Sequence, residues 1–218
     1  IRSDNLSVSS FTIDTIAPTL DNVTIASSNS VSTLAKTGDN VTLSITSSEV
    51  IQTPDIRIAG QNTTETGSGA SWSATYTMTN SYSSNVPVSL NIVFSDLAGN
   101  AGDNVTSTTD NATSVLFDKT PPTLDNVTIA SSNSVSTLAK TGDNVTLSIT
   151  SSEVIQTPDI WIAGQNATET GSGTSWSGAY TMASNSEGPV SLIVDFSDLA
   201  GNAGTRVTST TNSSAVLF

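Results

Sequence analysis

An internal repeat constrains this chain more than any other feature of its sequence. The segment 19–56 recurs without a single change at 123–160. Beyond it the copies diverge modestly: Trp72 matches Trp176, and after a contraction of two residues Phe94 matches Phe196. Self-similarity at a fixed period indicates that each copy is one structural unit, and 218 residues suit two ordinary domains. We therefore predict one domain over residues 14–117 and a second over residues 118–218.

The first thirteen residues resemble the end of a copy rather than its beginning. The run Phe11-Thr12-Ile13-Asp14 is similar to the run 115–118, Val-Leu-Phe-Asp. We interpret residues 1–13 as the last strand, or a stub of the last strand, of a preceding repeat. This interpretation predicts that the parent protein contains more than two repeats.

Hydrophobic residues within each copy alternate with polar ones, and no segment shows a convincing helical period. Val41, Leu43 and Ile45 alternate with Thr and Ser, which is the pattern of half-buried strands. About seven such short strands in about 100 residues are typical of a sandwich. We predict an all-β fold of two tandem immunoglobulin-like β-sandwich domains arranged end to end. The predicted core of the first copy contains Leu43, Ile45, Trp72, Leu90, Ile92 and Phe94, with their counterparts in the second.

Paired differences between the copies predict which side chains face solvent. Arg57 is replaced by Trp161, while the flanking isoleucines stay apolar in both copies. Val93 is replaced by Asp195, again between apolar neighbours. A position that accepts such different side chains faces outward, because alternate residues of a strand point to opposite faces. We therefore expect Arg57, Trp161 and Asp195 to be solvent-accessible.

Composition excludes several functional classes. The chain has 19 acidic and 6 basic residues, a formal charge of −13, so we expect neither nucleic-acid binding nor direct insertion into an anionic membrane. Histidine and cysteine are both absent, which removes histidine-dependent triads, disulfides and the usual zinc sites. No motif places a pair of carboxylates on a concave, aromatic-lined surface. We therefore predict that the chain is not an enzyme.

Two motifs, each present twice, carry a resemblance to a known family. One is the linker Asp14-Thr-Ile-Ala-Pro18, repeated as Asp118-Lys-Thr-Pro-Pro122; the other is Ser-Asp-Leu-Ala-Gly-Asn at 95–100 and again at 197–202. Together they resemble the tandem bacterial Ig-like repeats of giant extracellular adhesins and biofilm-type surface proteins. The resemblance implies a structural extender or stalk at the cell surface, often stiffened by calcium. Its partners would be neighbouring repeats of the same protein, with surface glycans or other cells bound by other domains.

The immunoglobulin topology brings oxygen-bearing side chains from distant segments to one end of each domain. In this topology the linker, the loop that contains Glu49 and the hairpin at 95–100 all lie at the end of the domain where its first strand begins. Calcium takes six to eight oxygen ligands at flexible geometry, and loops supply carbonyls. We therefore predict Ca²⁺ at this end of each of the two domains, although Asp and Asn in hairpins also commonly cap their own turns without a metal. The candidate ligands are Asp14, Glu49, Asp96 and Asn100 in the first copy, and Asp118, Glu153, Asp198 and Asn202 in the second.

Two other functions remain open from the sequence. A carbohydrate-binding module would need clustered exposed aromatics, for which the candidates are Trp161, Tyr82 and Tyr76. A filament subunit that assembles by strand exchange would use residues 1–13 as a detached terminal strand. Ten Asn-x-Ser/Thr sequons would matter only in a host that glycosylates them.

Overall fold

The computed structural model describes residues 12–111, 113–184 and 187–218, and every regular element in these ranges is a β-strand. No helix in the described part is long and apolar enough to cross a membrane. The first repeat contributes β1 (Leu20–Ser27), β2 (Leu34–Ala35), β3 (Asn40–Ser47), β4 (Asp55–Ile58), β5 (Gln61–Asn62), β6 (Glu65–Ser68), β7 (Ser71–Thr77), β8 (Val86–Pro87), β9 (Leu90–Val93) and β10 (Leu116–Phe117). The second contributes β11 (Leu124–Ser131), β12 (Asn144–Ser151), β13 (Asp159–Ile162), β14 (Gln165–Asn166), β15 (Thr168–Ser172), β16 (Ser175–Thr181) and β17 (Leu192–Asp195).

The sheet order is that of an immunoglobulin-like sandwich in both copies. A four-stranded antiparallel sheet runs β1-β3-β7-β6 and a three-stranded one runs β5-β4-β9; the second copy repeats them as β11-β12-β16-β15 and β14-β13-β17. In the nomenclature of the immunoglobulin fold, the order across these two sheets is A-B-E-D and C′-C-F. The prediction of an all-β fold with two immunoglobulin-like sandwiches is confirmed.

The described chain forms two compact units whose limits cut across the repeats. Among the described residues, the first unit comprises 12–28, 40–78, 87–111 and 113–115. The second comprises 29–39, 79–86, 116–184 and 187–218. The short strands β2 and β10, which pair in parallel through Leu34–Leu116 and Ala35–Phe117, therefore belong to the second unit.

Inward-facing residues of both sheets form each core, as the alternation predicts. In β3 the odd-numbered positions 41, 43 and 45 are buried, and Leu90, Ile92 and Phe94 are buried opposite them. One cluster in the second copy joins Leu147 and Ile149 of β12 to residues of β13 and β17. Full burial of a leucine, isoleucine or phenylalanine side chain stabilises the folded state by about 1.5–3 kcal/mol.

Trp72 and Trp176 are half-buried, whereas the sequence predicts that they are core residues. Both lie on inward-facing positions, and Trp176 packs against the core cluster. The indole Nε1 of Trp72 donates to the carbonyl of Gly69 at 3.1 Å, and Trp176 donates to Gly173 at 3.2 Å. Since a buried indole N–H requires a partner, the rings are held at the rim, where a turn carbonyl is available.

The predicted facing of the variable positions is confirmed. Arg57 is exposed, and neither Trp161 nor Asp195 is buried. The guanidinium of Arg206 binds both carboxylate oxygens of Asp195, at 2.8 and 2.7 Å. These bonds hold the pKa of Asp195 below its usual value. The counterparts of this pair in the first copy are Val93 and Asn104, so the two changes occur together on one outward face.

The segment after β9 closes an open sheet edge. Val105 exchanges both backbone hydrogen bonds with Ile92, and the chain then crosses to β1. There the Thr109 amide donates to the Val23 carbonyl at 3.2 Å, and the Val23 amide donates to Thr109 Oγ1 at 3.2 Å. Covering an edge strand in this way removes a template for pairing with other chains.

A pair of compensating differences lies between sheets in the two cores. Ala74 of the first copy is Gly178 in the second, and a Cβ at Gly178 would lie 2.7 Å from Ile160 Cγ2 and 3.0 Å from Ala167 Cβ. In the first copy Thr63 Oγ1 donates to the Ile56 carbonyl at 2.6 Å. In the second, the amide of Ala167 makes the equivalent bond to Ile160 at 2.8 Å, so the backbone approaches more closely.

We expect Gly178→Ala to reduce the free energy of unfolding by about 1–3 kcal/mol, because the added methyl overpacks the space that Ala167 fills. The double change Gly178→Ala with Ala167→Thr, which recreates the combination of the first copy, should cost less than the single change. Urea denaturation measures both. Ala179→Thr, an exposed position at which the first copy has Thr75, is the control and should be neutral. Equal losses in the single and double variants would contradict this coupling.

Candidate metal centres

The structure brings three carboxylates together in each unit, from the three segments that the sequence predicts. In the first unit they belong to Asp14, Glu49 and Asp96; in the second, to Asp118, Glu153 and Asp198. In each set, one oxygen from every residue lies within 4.8 Å of one oxygen from each of the others. We call these sets the first and second carboxylate clusters.

The hairpin aspartate is the most buried member of each cluster. Asp96 and Asp198 are each 1 % exposed. The isolated bridges Ile51–Asp96 and Ile155–Asp198 fix their backbones against the loop after β3 or β12. The glutamates of that same loop, Glu49 and Glu153, are half-buried, and they face the aspartates across the cluster.

The hairpin asparagine closes a ring of hydrogen bonds around the buried aspartate. The backbone amide of Asn100 donates to Asp96 Oδ1 at 2.8 Å, and its side-chain amide donates to Asp96 Oδ2 at 2.6 Å. The same side chain donates to the backbone carbonyl of Asp14 at 3.2 Å. Asn202 makes the three equivalent bonds, at 2.8 and 2.7 Å to Asp198 and at 3.1 Å to the carbonyl of Asp118.

Asn100 and Asn202 therefore act as donors that tie the linker to the hairpin. The sequence assigns them to the candidate ligand set, and the structure places both at the clusters. Their amide nitrogens, however, point to the carboxylates and carbonyls around them. The side-chain oxygens available to bind a cation are therefore those of the three carboxylates in each cluster.

The pKa values of two carboxyls in the first cluster are shifted in opposite directions. Burial raises the pKa of Asp96, but hydrogen bonds from the Asn100 side chain and from the amides of Asn100, Gly99 and Ala98 lower it by more, so this pKa lies below its ordinary value. Burial, and then the negative charges of Asp14 and Asp96, raise the pKa of Glu49. The hairpin hydrogen bonds thus favour the ionised form of Asp96, and its negative charge contributes to the raised pKa of Glu49.

In the second cluster the glutamate pKa is raised in the same way, and the linker aspartate makes additional hydrogen bonds. Burial, followed by the charges of Asp118 and Asp198, raises the pKa of Glu153. Asp118 Oδ1 accepts from Ser84 Oγ at 3.0 Å and from the Thr120 amide at 2.9 Å. Ser84, Asp118 and Thr120 all belong to the second unit.

The residues present fit a hard divalent cation. Three carboxylates from separate loops supply oxygen, the ligand that Ca²⁺ takes, and backbone carbonyls of Asp14 or Asp118 lie beside them. A divalent charge would also offset the repulsion between carboxylates, which adds to burial in raising the pKa of each glutamate. The clusters contain no soft or imidazole ligand, so zinc and copper suit them poorly.

Comparisons with known proteins add a fold likeness and little else. No family model matches the chain, and no curated protein matches it significantly. Among solved structures it is similar to the fibronectin(III)-like modules of CbhA from Clostridium thermocellum, with a TM-score of 0.40 and 14% identity, covering 85% of this chain and 91% of that one. A likeness this distant carries no functional argument, and the sheet order itself defines the fold.

Without divalent cations, Glu153 should make the folded state less stable as pH rises. Its raised pKa means that the folded chain binds this proton more tightly than the unfolded chain. The stability that the bound proton contributes is fully present below the pKa of the unfolded chain, 4.5, and is lost as pH rises through the higher pKa of the folded chain. We expect Glu153→Gln to be more stable than the unmodified chain at pH 7.5 in chelator, by a margin that shrinks toward pH 4.5. Urea denaturation across this range checks it; a margin independent of pH would contradict it.

Proposed function

We propose that this chain is a structural extender module of a repetitive extracellular protein, held rigid at each linker by a calcium ion. The observation that carries the proposal is the carboxylate cluster, present twice, at the point where a linker meets a hairpin. A cation there would bind the linker, the hairpin and the loop that contains Glu49 or Glu153 at the same time. Three segments that otherwise repel one another would then be held together.

The second linker is already fixed by hydrogen bonds on its other side. The amide of Lys119 donates to Ser84 Oγ at 3.0 Å, and Lys119 Nζ donates to the carbonyls of Asn80 and Tyr82 at 2.7 and 2.8 Å. Two prolines follow, which fix φ and remove two backbone donors. A linker that is both extended and hydrogen-bonded suits a spacer better than a hinge. The role proposed is therefore mechanical, at a cell surface, with ligand binding by other domains.

The carbohydrate-binding alternative gains less support from the side chains. Tyr82 packs edge-on against Phe117, with ring centroids 5.9 Å apart, and Tyr76 lies at an inward-facing position of β7. Trp161 faces outward on β13 and is half-buried beside Ile193. Among the described residues these three rings do not form one exposed platform. The strand-exchange alternative depends on residues 1–13, of which 1–11 lie outside the described ranges.

Calcium at millimolar concentration should raise the melting temperature of the chain relative to chelator. An ion that binds only the folded state stabilises it by RT ln(1 + [L]/Kd), roughly 2.7 kcal/mol at a hundredfold excess over Kd. Asp198→Ala and the milder Glu153→Gln should each remove the response of the second unit. Asp125→Ala, which deletes an exposed carboxylate of β11, is the matched control and should keep it.

Scanning calorimetry measures these responses. Because Asp198 also organises its hairpin, its variant alone cannot separate lost structure from lost binding, whereas Glu153→Gln leaves the hairpin bonds in place. Identical melting of the unmodified chain in calcium and in chelator would leave the hairpins as capped turns. Stiffness would then have to come from proline and hydrogen bonds alone.

A further inference from the structure

Two loops of the first repeat belong to the second compact unit. They comprise residues 29–39 and 79–86, and we call them the first and second docking loops. The first contains β2 and the second reaches β8, and both strands flank β10 in one three-stranded sheet. Because β10 ends at Phe117, directly before the linker of the second repeat, the docking loops lie where that repeat begins.

The first docking loop holds the hairpin of the second repeat, residues 197–202. The side-chain amide of Asn29 donates to the carbonyl of Ala200 at 2.9 Å. Since Ala200 is only 3 % exposed, its carbonyl needs a donor from the protein. The side chain of Lys36 lies beside Gly201, with its Cε 3.5 Å from the place that a Cβ would take on that glycine. Side chains of the first repeat therefore cover this hairpin.

The second docking loop holds the linker of the second repeat. Ser84 Oγ donates to Asp118 Oδ1 at 3.0 Å. The same oxygen accepts from the amide of Lys119 and from Thr120 Oγ1, both at 3.0 Å. A hydroxyl has one donor and two acceptor lone pairs, so these three bonds use its full capacity. One serine of the first repeat thus fixes three consecutive residues of the linker.

Asn202 joins the two contacts. Its side chain donates to the carbonyl of Asp118 in the linker at 3.1 Å and to Asp198 Oδ2 in the hairpin at 2.7 Å. The linker and the hairpin are therefore bonded to each other, and each is also held by one docking loop. A change in either loop should affect both, because hydrogen bonds within one network are energetically coupled.

We propose that the docking loops are an interaction surface whose partner is the linker and hairpin of the following repeat, so that folding of the first repeat stabilises the second. In repeat proteins, the interfaces between neighbours add to the stability that each repeat has alone. The contacts named above need no bound cation. The proposal thus goes beyond the calcium-stiffened extender and does not depend on it.

Hydrogen–deuterium exchange of the full chain in chelator, measured by mass spectrometry, tests this coupling. The hairpins at 95–100 and 197–202 share one sequence, as do the residues on either side of them, so their amides have the same intrinsic exchange rates. Asn29→Ala removes the donor to the Ala200 carbonyl. We expect the amides of 197–202 to exchange at least about fivefold faster, because an unpaired buried acceptor favours local opening. Exchange at 95–100 should not change.

Asn133→Ala is the matched control for the first docking loop. Asn133 donates to Asp143 at 2.8 Å, as Asn29 donates to Asp39 at 2.7 Å, but the Asn133 bond lies within the second repeat. If loss of such a bond alone loosened the hairpin, the control would act on 197–202 at least as strongly as Asn29→Ala. We expect the control to leave the exchange of this hairpin unchanged.

Ser84→Ala tests the second docking loop in the same way. It removes three bonds to the linker, so the amides of 197–202 should again exchange faster, through the bond from Asn202 to the linker. Its control is Ser81→Ala, since the Ser81 hydroxyl bonds Thr79 within the same loop at 2.7 Å. This control should have no effect on the hairpin.

Unchanged exchange at 197–202 in both Asn29→Ala and Ser84→Ala, or changes that the controls reproduce, would overturn the proposal. So would an equal rise at 95–100 and 197–202, because that result would indicate a general loss of stability. Every arm is measured in chelator, so these outcomes leave the calcium response of the melting temperature untouched. Either proposal can therefore fail without the other.

Discussion

The aspartate buried in each hairpin, Asp96 or Asp198, organises the segments around it. A carboxylate out of contact with water is tolerated only when hydrogen bonds replace its hydration. Asn100 and Asn202 supply these bonds from backbone and side chain together, and the same amide holds the linker carbonyl. The hairpin shape, the entry of the linker and the alignment of the next strand thus depend on one residue pair. The cost is a fixed negative charge beside two other carboxylates, which a cation would neutralise.

The repeat also separates what the fold requires from what it tolerates. The hairpin sequences and the strands β3 and β12 are identical in the two copies, whereas several differences lie on outward faces and two sets of differences occur as matched pairs. Val93 and Asn104 become Asp195 and Arg206, which bind each other through two hydrogen bonds. Thr63 and Ala74 become Ala167 and Gly178, and a backbone amide replaces a hydroxyl as the donor to the facing isoleucine. Since neighbours in contact are energetically coupled, each pair has meaning only when its two members are considered together.

Much of the fold follows from the alternation of apolar and polar residues alone, because a strand with one buried face has this period of two in its sequence. Leu43, Ile92 and Phe94 were predictable in this way, and so was the outward position of Arg57. The convergence of the three acidic segments followed from immunoglobulin topology. The rim position of Trp72 was not predictable, since it depends on which turn carbonyl reaches the indole. Nor was the donor role of Asn100, because either end of an amide can face a carboxylate-rich site and only the local geometry decides.

Locating a bound ion in a crystal would test whether the carboxylate clusters hold calcium, as we propose. Crystals grown in calcium, with anomalous scattering measured at a long wavelength, would show the position of any bound ion. We expect one peak at each cluster, with oxygens of Asp14, Glu49 and Asp96, or of Asp118, Glu153 and Asp198, about 2.3–2.6 Å away. Well-ordered clusters that contain only water, with no anomalous peak at millimolar calcium, would contradict it.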